Sequence, residues 1–278
     1  MTTTEELQAQ QTQFWNGEMG DIWVKEQAFI DGMLHPFEEV LVNHAQTLAP
    51  QNLLDIGCGN GTTTRAHAEA LPDTRCTGID LSETMVANAR AITEHANTNF
   101  IATDAAIHDF GDAEFDLLTS RFGVMFFPDP VAAFSNFRRS ASPEAHLALL
   151  VWRSPEDNEF MTTGQKAAAP YLPETPPPPE NAPSPFSFGD PDRVSRIMQG
   201  SSFGKIDFHP VDLELNFPVA DLDMFLTKIA PIGHDLSSLE DDVRTQIMRS
   251  VRAAYEKFID GDEVRYTAST WLITGRAA

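Results

Sequence analysis

The stretch LLDIGCGNGTTTRAHAEA, residues 53 to 70, joins a short apolar run to a helix-like segment through three glycines at alternate positions. Glycine adopts backbone angles that other residues resist, so Gly57, Gly59 and Gly61 predict a tight loop with a ligand close to its main chain. A helix that begins at Thr62 presents free amide N–H groups and the positive end of its dipole to a polar or anionic ligand group. The stretch therefore predicts a strand, a ligand-binding loop and a helix.

A dinucleotide is the rival ligand for such a loop. The dinucleotide-binding fingerprint is G-x-G-x-x-G, in which the third glycine allows the helix to pack closely. The spacing here is G-x-G-x-G, with Thr62 following the third glycine, and no phosphate-binding lysine of the Walker type is present. A nicotinamide-dependent oxidoreductase is therefore the weaker alternative.

Aspartates stand at the ends of three successive apolar runs. Asp55 ends the first run, Asp80 the second and Asp104 the third. Each alone is explained by capping of the next helix or turn. Because the ends of consecutive parallel strands meet at one edge of a sheet, the three together with the glycine loop indicate one crevice, in which Asp80 can accept hydrogen bonds from ribose hydroxyls.

Apolar runs and helix-like segments alternate from residue 52 to Trp152, which predicts parallel strands, because a parallel connection needs a long crossover. The fold class is α/β, a doubly wound sheet. Residues 1–50 predict a helical N-terminal cap, and residues 51–152 the ligand-binding core. Residues 153–278 predict a Pro-rich insertion, cap helices and the last two strands of the same single domain.

Two segments beyond Trp152 carry specific expectations. Nine prolines between residues 170 and 191 exclude helix and central strand, and predict a stiff surface excursion or the edge of a lid. Apolar residues at three- and four-residue steps predict a helix over 239 to 259, with Ser237 and Glu240 as a capping box and Gly261 as its stop.

Charge and composition exclude several kinds of partner. The 41 acidic and 19 basic side chains give a net charge of -22, which repels nucleic acids and anionic lipid. No apolar run is long enough to span a membrane, and the N-terminus lacks the features of a signal peptide. We expect a soluble, cytoplasmic protein in which Cys58 and Cys76 are reduced, with no metal site.

The motifs LLDIGCGNG, GIDLSETMVANAR, ATDA and FDLLTSRFGVMFFPDPVAAFSNFRR, which begin at residues 53, 78, 102 and 115, resemble those of class I S-adenosylmethionine-dependent methyltransferases. The chain is especially similar to the small-molecule branch that includes the ubiquinone and menaquinone biosynthesis C-methyltransferases. This resemblance implies a Rossmann-like, seven-stranded sheet with an antiparallel last strand, which YTASTWLITG, residues 266–275, can supply. It also implies S-adenosyl-L-methionine as cofactor.

The resemblance further implies roles for matched positions around the cofactor. The methionine part would be held by Asp55 and by the loop residues Gly57, Cys58, Gly59 and Gly61. Asp80 would bind the ribose, Leu81 and Met85 would contact the adenine face, and Asp104 would bind the adenine amino group beside the Ala105 backbone. The residues near the sulfonium and the substrate would be Ser120, Arg121 and Phe122. Trp15, in QFWNG (residues 13–17), would close over the cofactor or pack within the cap. One departure is that Pro143, Glu144 and Ala145 stand where the family usually has Pro-Gly-Gly, which puts the geometry of that turn in doubt.

The expected activity is methyl transfer to a small, apolar or aromatic metabolite. His234 is the candidate acceptor-side residue if a base is required. The expected partner is this small-molecule acceptor, and whether the protein also forms a homodimer is left open. The alternative from another class is a methyltransferase-like protein that binds the cofactor in a regulatory or non-methylating role, because fold alone does not define function.

Overall fold

A computed structural model of the chain describes residues 2–112, 114–173, 179, 182–237 and 239–277, with residues 234, 235 and 237 described by backbone alone. Three helices come first, α1 (Thr4–Trp15), α2 (Glu18–Lys25) and α3 (Gln27–Leu48). Thr3 and Glu6 form a capping box that starts α1, and α3 ends at Ala49 in the left-handed conformation. Helices are thus present within residues 1–50, where the sequence predicts them.

Strands and helices alternate from Asn52 as the apolar runs predict. They are β1 (Asn52–Ile56), α4 (Thr62–Ala70), β2 (Arg75–Asp80), α5 (Glu83–Ile92), β3 (Thr98–Ala102), β4 (Phe115–Arg121), α6 (Pro130–Ser140) and β5 (Ala141–Trp152). The side chains of Ser82 and Asp129 accept hydrogen bonds from amides in the first turns of α5 and α6. These caps fix where the two helices leave the ends of β2 and β4.

The remaining elements lie after residue 152. They are α7 (Glu159–Ala168), α8 (Pro191–Gly200), β6 (Phe203–Pro218), α9 (Leu222–Met224), α10 (Ile232–Ser237), α11 (Asp241–Tyr255), β7 (Ile259–Asp260) and β8 (Glu263–Ala277). The predicted capping box is wrong, because Ser237 belongs to α10, and Glu240 precedes α11 without a side-chain cap. Gly261 does not stop the helix; it lies in the turn between β7 and β8 with a φ of 65°.

The strands form one sheet in the order β3-β2-β1-β4-β5-β8-β6, and β7 pairs with β8 off this path. The pairs from β3 to β5 are parallel, whereas β8 is antiparallel to β5. The expected sheet of seven strands with an antiparallel last strand is therefore confirmed, and the two-residue β7 is the addition. The strand order reverses at β1 and β4, which is where such folds place their ligand crevice.

Glu144 occupies the turn in which the family pattern has glycine. Its φ of 61° lies in the left-handed region, and the pairing of β4 with β5 shifts register there, between Phe115 and Leu117. The chain thus adopts a left-handed backbone at this position without a glycine. Arg276 donates to the Glu144 carbonyl, and Lys205 pairs with its exposed carboxylate.

The chain divides into two compact units. The first consists of Met1–Trp152, Pro179–Val211 and Thr270–Ala278, and the second of Arg153–Pro178 and Asp212–Ser269. Leu54, Ile56, Leu118, Leu147 and Leu149 are fully buried in the sheet core of the first unit. One domain over the whole chain stays a prediction.

The second unit has a core of its own, made of aromatic side chains. Phe160 stacks on Tyr266 with ring centroids 3.7 Å apart, and the buried Tyr255 hydroxyl donates to the Phe160 carbonyl at 2.7 Å. Part of the Pro-rich segment, residues 174–178, 180 and 181, lies outside the described residues. Within the described part of the chain, no helix is long and apolar enough to cross a membrane.

Candidate functional site

The candidate site lies at the carboxyl ends of β1 to β4. Parallel register places Asp55 opposite Gly78, and Asp80 opposite Ala102, so the loops that follow these strands meet at one edge of the sheet. The glycine loop connects β1 to α4 at the centre of this edge. The predicted crevice residues Asp55, Asp80 and Asp104 therefore stand on three adjacent strand ends.

Protein contacts explain two of the three loop glycines. Gly57, Gly59 and Gly61 have φ values of 70°, 53° and 73°. A Cβ at Gly57 would lie 2.7 Å from Gly123 Cα, and one at Gly61 would lie 2.5 Å from the Phe100 ring. A Cβ at Gly59 would meet only Met85 Sδ, at 3.7 Å. The left-handed backbone accounts for glycine at all three positions, and packing against protein atoms adds a second reason at Gly57 and Gly61.

Asp80 ends β2 and holds the glycine loop. Its Oδ2 accepts from Gly59 N at 2.8 Å, and its Oδ1 accepts from Ser82 N at 2.8 Å. A carboxylate has about four acceptor positions, so Asp80 can still accept from other donors such as a ribose hydroxyl. Burial raises the pKa of Asp80, and the amide donors oppose that shift.

Asp104 follows β3 and is approached from the N-terminal helix. Gln8 Nε2 donates to Asp104 Oδ2 at 2.9 Å, and Ala106 N donates to Asp104 Oδ1 at 2.8 Å. Ala105 is buried, and its carbonyl accepts from Asn136 at 3.0 Å. The Gln8 contact shows that Asp104 accepts an amide NH₂ donor, which is the hydrogen-bonding character of the amino group on an adenine.

The side chains of Leu81 and Met85 follow β2 at the start of α5. Met85 is buried under the glycine loop, and Leu81 is half-buried. Asn16, just after α1, donates to the Leu81 carbonyl at 3.0 Å and accepts from Glu83 N at 2.9 Å. The N-terminal helices are thereby fixed to the loop after β2.

Cys58 and Asp55 lie beneath the loop surface. Burial, with Asp80 and Asp55 nearby, raises the pKa of the Cys58 thiol well above its usual range, so this group is neutral and unreactive. Asp55 is 1% exposed, and its Oδ2 accepts from the Thr64 hydroxyl at 2.6 Å. Burial raises the Asp55 pKa to about 6, against the Thr64 hydrogen bond and the Arg121 charge, which lower it.

This pKa predicts a pH-dependent cost to folding. The folded state holds the Asp55 proton more tightly than the ordinary value of 3.8, so its stabilising contribution is present below about pH 4 and is lost as pH rises through about 6. Asp55→Asn is never charged. The wild-type free energy of unfolding should therefore fall, relative to that of Asp55→Asn, by about 2 kcal/mol between pH 4 and 7.

Urea unfolding of both proteins across this pH range measures the effect. Asp73→Asn, in the exposed turn before β2, is the matched control and should follow the wild-type pH profile. Parallel profiles for wild type and Asp55→Asn would contradict the buried, shifted carboxyl.

The end of β4 carries Ser120, Arg121 and Phe122. Ser120 is fully buried; its hydroxyl donates to the Ile56 carbonyl at 2.7 Å and accepts from Gly123 N at 3.1 Å. This hydroxyl joins the ends of β1 and β4, so its contacts are with protein. Phe122 has a φ of 63° and stacks on Trp152 at 4.4 Å. That left-handed backbone turns the phenyl ring onto β5.

Trp15 packs within the N-terminal helices and on the loop after β4. Its ring meets Trp23 at 5.8 Å and Phe126 at 5.4 Å, both edge to face. These contacts support the interpretation that Trp15 packs within the cap, whereas closure of Trp15 over a ligand stays a prediction. His234 lies in α10, but its side chain lies outside the described residues.

Two acidic residues on α3 were missed by the sequence reasoning. Asp31 accepts from the Thr62 hydroxyl at 2.9 Å and lies 4.0 Å from Arg121, while Glu38 is 7% exposed. The sequence does contain a signal for Glu38, because it is a glutamate within an apolar helical stripe. The other buried residues of α3 are Ile30, Leu34, Phe37, Leu41 and Ala45.

Comparisons with known proteins agree with this geometry. Residues 53–144 match the family model described as a methyltransferase domain. The chain is 32% identical over 106 residues to an aklanonic acid methyltransferase of Streptomyces sp. (strain C5), an alignment that covers 37% of this chain and 48% of the relative. It is 30% identical over 121 residues to a demethylmenaquinone methyltransferase of Thermus thermophilus, covering 43% and 55%.

Longer alignments are more distant. A malonyl-[acyl-carrier protein] O-methyltransferase of Acetivibrio thermocellus is 23% identical over 233 residues, covering 81% of this chain and 79% of the relative. The YcgJ protein of Bacillus subtilis superposes with a TM-score of 0.59 at 19% identity, covering 87% of this chain and 98% of that one, which shows a shared fold.

The match over residues 53–144 and the similarity to these methyltransferases confirm the resemblance to S-adenosylmethionine-dependent methyltransferases. The chain spans about half the length of the aklanonic acid and demethylmenaquinone methyltransferases that it matches.

Proposed function

We propose that the protein transfers the methyl group of S-adenosylmethionine to a small-molecule acceptor. The observation that carries the proposal is the position of the Asp80 carboxylate at the end of β2. It accepts from Gly59 N and Ser82 N and can still accept hydrogen bonds from a ligand. A nucleoside with free ribose hydroxyls suits this carboxylate, whereas a 2′-phosphate would be repelled by it. The methyltransferase-domain match over residues 53–144 supports the same ligand.

The residues of the site fit the parts of this cofactor. The N-terminus of α4 and the Gly57–Gly61 loop suit the amino-acid end, Met85 and Leu81 suit an adenine face, and Asp104 suits an amino donor. Asp55 would contribute through Thr64 in α4, and Ser120 through Gly123, because their carboxylate and hydroxyl already bind protein.

The sulfonium supplies an already activated methyl group, so the protein has mainly to align an acceptor and exclude water. Such alignment contributes about 7 to 11 kcal/mol in ideal intramolecular cases. The N-terminal helices would exclude water, since Asn16 binds the loop after β2, and Asn60 of the glycine loop donates to the Trp23 carbonyl. A base is needed only for an acceptor that must lose a proton.

An apolar or aromatic acceptor is the finer part of the proposal. Phe37, Phe122 and Trp152 form one aromatic group beside Arg121, at the end of β4. Phe37 is fully buried, whereas Phe122 and Trp152 are partly exposed, and exposed aromatic surface beside a charged group suits a small, largely apolar molecule. Two of the relatives carry names of small molecules, aklanonic acid and demethylmenaquinone.

Incubation with methyl-labelled S-adenosylmethionine and a metabolite extract tests the proposal. We expect label in a small molecule whose mass, by mass spectrometry, has increased by one CH₂ unit. Asp80→Ala protein in parallel is the negative control. Label found only in protein or tRNA would overturn the assignment of the acceptor class.

A further inference from the structure

Glu38 is a buried carboxylate in an otherwise apolar stripe of α3. It is 7% exposed, and its Oε1 lies 3.3 Å from His35 Nδ1. Its Oε2 is also buried and has no hydrogen-bond partner among the described residues. A buried acceptor without a donor costs about 1 to 3 kcal/mol, more when it is charged, so such an atom calls for an explanation.

The carboxylate lies beside the candidate site. Arg121 donates to the Leu34 carbonyl at 3.3 Å, one helical turn before Glu38, and its charge lowers the Glu38 pKa. Asp31, two turns before Glu38 on the same face of α3, accepts from Thr62 at the start of α4. Glu38 is thus on the face of α3 that meets the glycine loop and the end of β4.

Charged groups from four elements surround this carboxylate. Those that interact with it electrostatically are Asp31 and His35 on α3, Asp55 on β1, Arg65 on α4 and Arg121 on β4. Both guanidinium groups have other partners: Arg65 donates to the Asn60 carbonyl and the Thr62 hydroxyl, and Arg121 to the Leu34 carbonyl.

The charges of this group favour a cation. Three carboxylates, Asp31, Glu38 and Asp55, face two guanidinium groups. Asp31 and Asp55 already accept hydrogen bonds from threonine hydroxyls. Glu38 Oε2 is a buried acceptor without a donor among the described residues, and a ligand ammonium supplies three donors with the complementary charge.

We propose that Glu38 is a binding residue for the α-ammonium group of the methionine part of S-adenosylmethionine, which donates to Oε2. This inference rests on the proposed function, because it needs the amino-acid end of the cofactor at the Gly57–Gly61 loop. The position of Glu38 within electrostatic reach of Asp55 and Arg65, on either side of that loop, supports it.

The ionisation of Glu38 agrees with this role. Burial raises the pKa of Glu38 above its ordinary value, although Arg121 and His35 lower it. An ammonium ion at Oε2 would favour the charged form and return the pKa toward its usual range. Ligand binding should then release a proton from this carboxyl group.

Titration calorimetry with two probes tests the proposal. S-Adenosylhomocysteine carries the ammonium group, and its deaminated analogue, 5′-(3-carboxypropylthio)-5′-deoxyadenosine, lacks only that group. For wild type, we expect the analogue to bind roughly 10-fold to 100-fold more weakly. Glu38→Gln should weaken S-adenosylhomocysteine by a similar factor and leave affinity for the analogue within about twofold.

Glu39→Gln is the matched control, because it removes the same charge at the neighbouring position. The Glu39 side chain is 63% exposed. It should bind both probes as wild type does. Equal affinity of wild type for both probes would overturn the proposal without needing any variant to fold. The proposal would also be overturned if Glu38→Gln lost affinity for both probes equally. Unchanged affinity for both probes, which is the result expected if Glu38 were instead a base for the acceptor, would overturn it as well. If wild type bound neither probe, the proposed function itself would fail.

Discussion

Asp80→Ala should weaken S-adenosylhomocysteine binding roughly 100-fold or more, because it removes the acceptor for two ribose hydroxyls at once. Each hydrogen bond to a charged group contributes about 1.5 to 3 kcal/mol, and 1.4 kcal/mol corresponds to a factor of ten. The same change takes away the acceptor of Gly59 N and Ser82 N, so the loop also loses its fixed position. Titration calorimetry measures the dissociation constant.

Two further variants separate these contributions. Asp80→Asn keeps one acceptor oxygen but loses the charge, so its affinity should fall between those of wild type and Asp80→Ala. Asp73→Ala removes an exposed carboxylate before the start of β2, at the opposite end of that strand, and should bind as wild type does. Affinity of Asp80→Ala within about twofold of wild type would show that the ribose does not lie on this carboxylate.

Gly57→Ala should lower the free energy of unfolding by more than about 3 kcal/mol. A left-handed backbone costs a non-glycine residue about 1 kcal/mol or more. The added Cβ would also lie 2.7 Å from Gly123 Cα, a backbone atom that cannot rotate away, so the loops after β1 and β4 would be forced apart. Urea unfolding gives the change in stability.

Gly111→Ala is the control for the conformational part of this cost. Gly111 has a φ of 79°, yet among the described residues a Cβ there would meet only Glu114 Oε2, at 3.7 Å. It should lose only about 1 kcal/mol, the cost of the backbone angle. Equal losses for the two variants would mean that the approach of Gly57 to Gly123 does not constrain the site.

Much of the fold could be predicted because its signals are local. The alternation of apolar runs with helix-like segments from Asn52 to Trp152 requires parallel strands, and parallel strands bring Asp55, Asp80 and Asp104 to one edge. The antiparallel last strand came from the resemblance, since no local pattern in residues 266–275 specifies its direction.

Long-range packing explains what the sequence did not show. A side chain at Gly57 would clash with Gly123, and one at Gly61 would clash with Phe100. Both neighbours are distant in sequence, so the sequence indicated a ligand where packing against protein also requires glycine. Ser120 looked like a ligand-facing residue, but its hydroxyl binds Ile56 and Gly123. Periodicity alone does not distinguish such contacts from ligand contacts.

The start of α11 and the role of Glu38 illustrate the same limit. Ser237 and Glu240 have capping-box spacing, but Ser237 is taken by α10, so the spacing was fortuitous. Glu38 interrupts an apolar stripe, which is visible in the sequence, but its meaning depends on Arg121, which only the folded chain brings near.

A crystal structure of the protein grown with saturating S-adenosylhomocysteine tests the central claim most directly. We expect the nucleoside across the carboxyl ends of β1 to β3, with both ribose hydroxyls on the Asp80 carboxylate and the amino-acid end against Gly57–Gly61. Electron density for the compound elsewhere, or none at this edge of the sheet under saturating conditions, would contradict it.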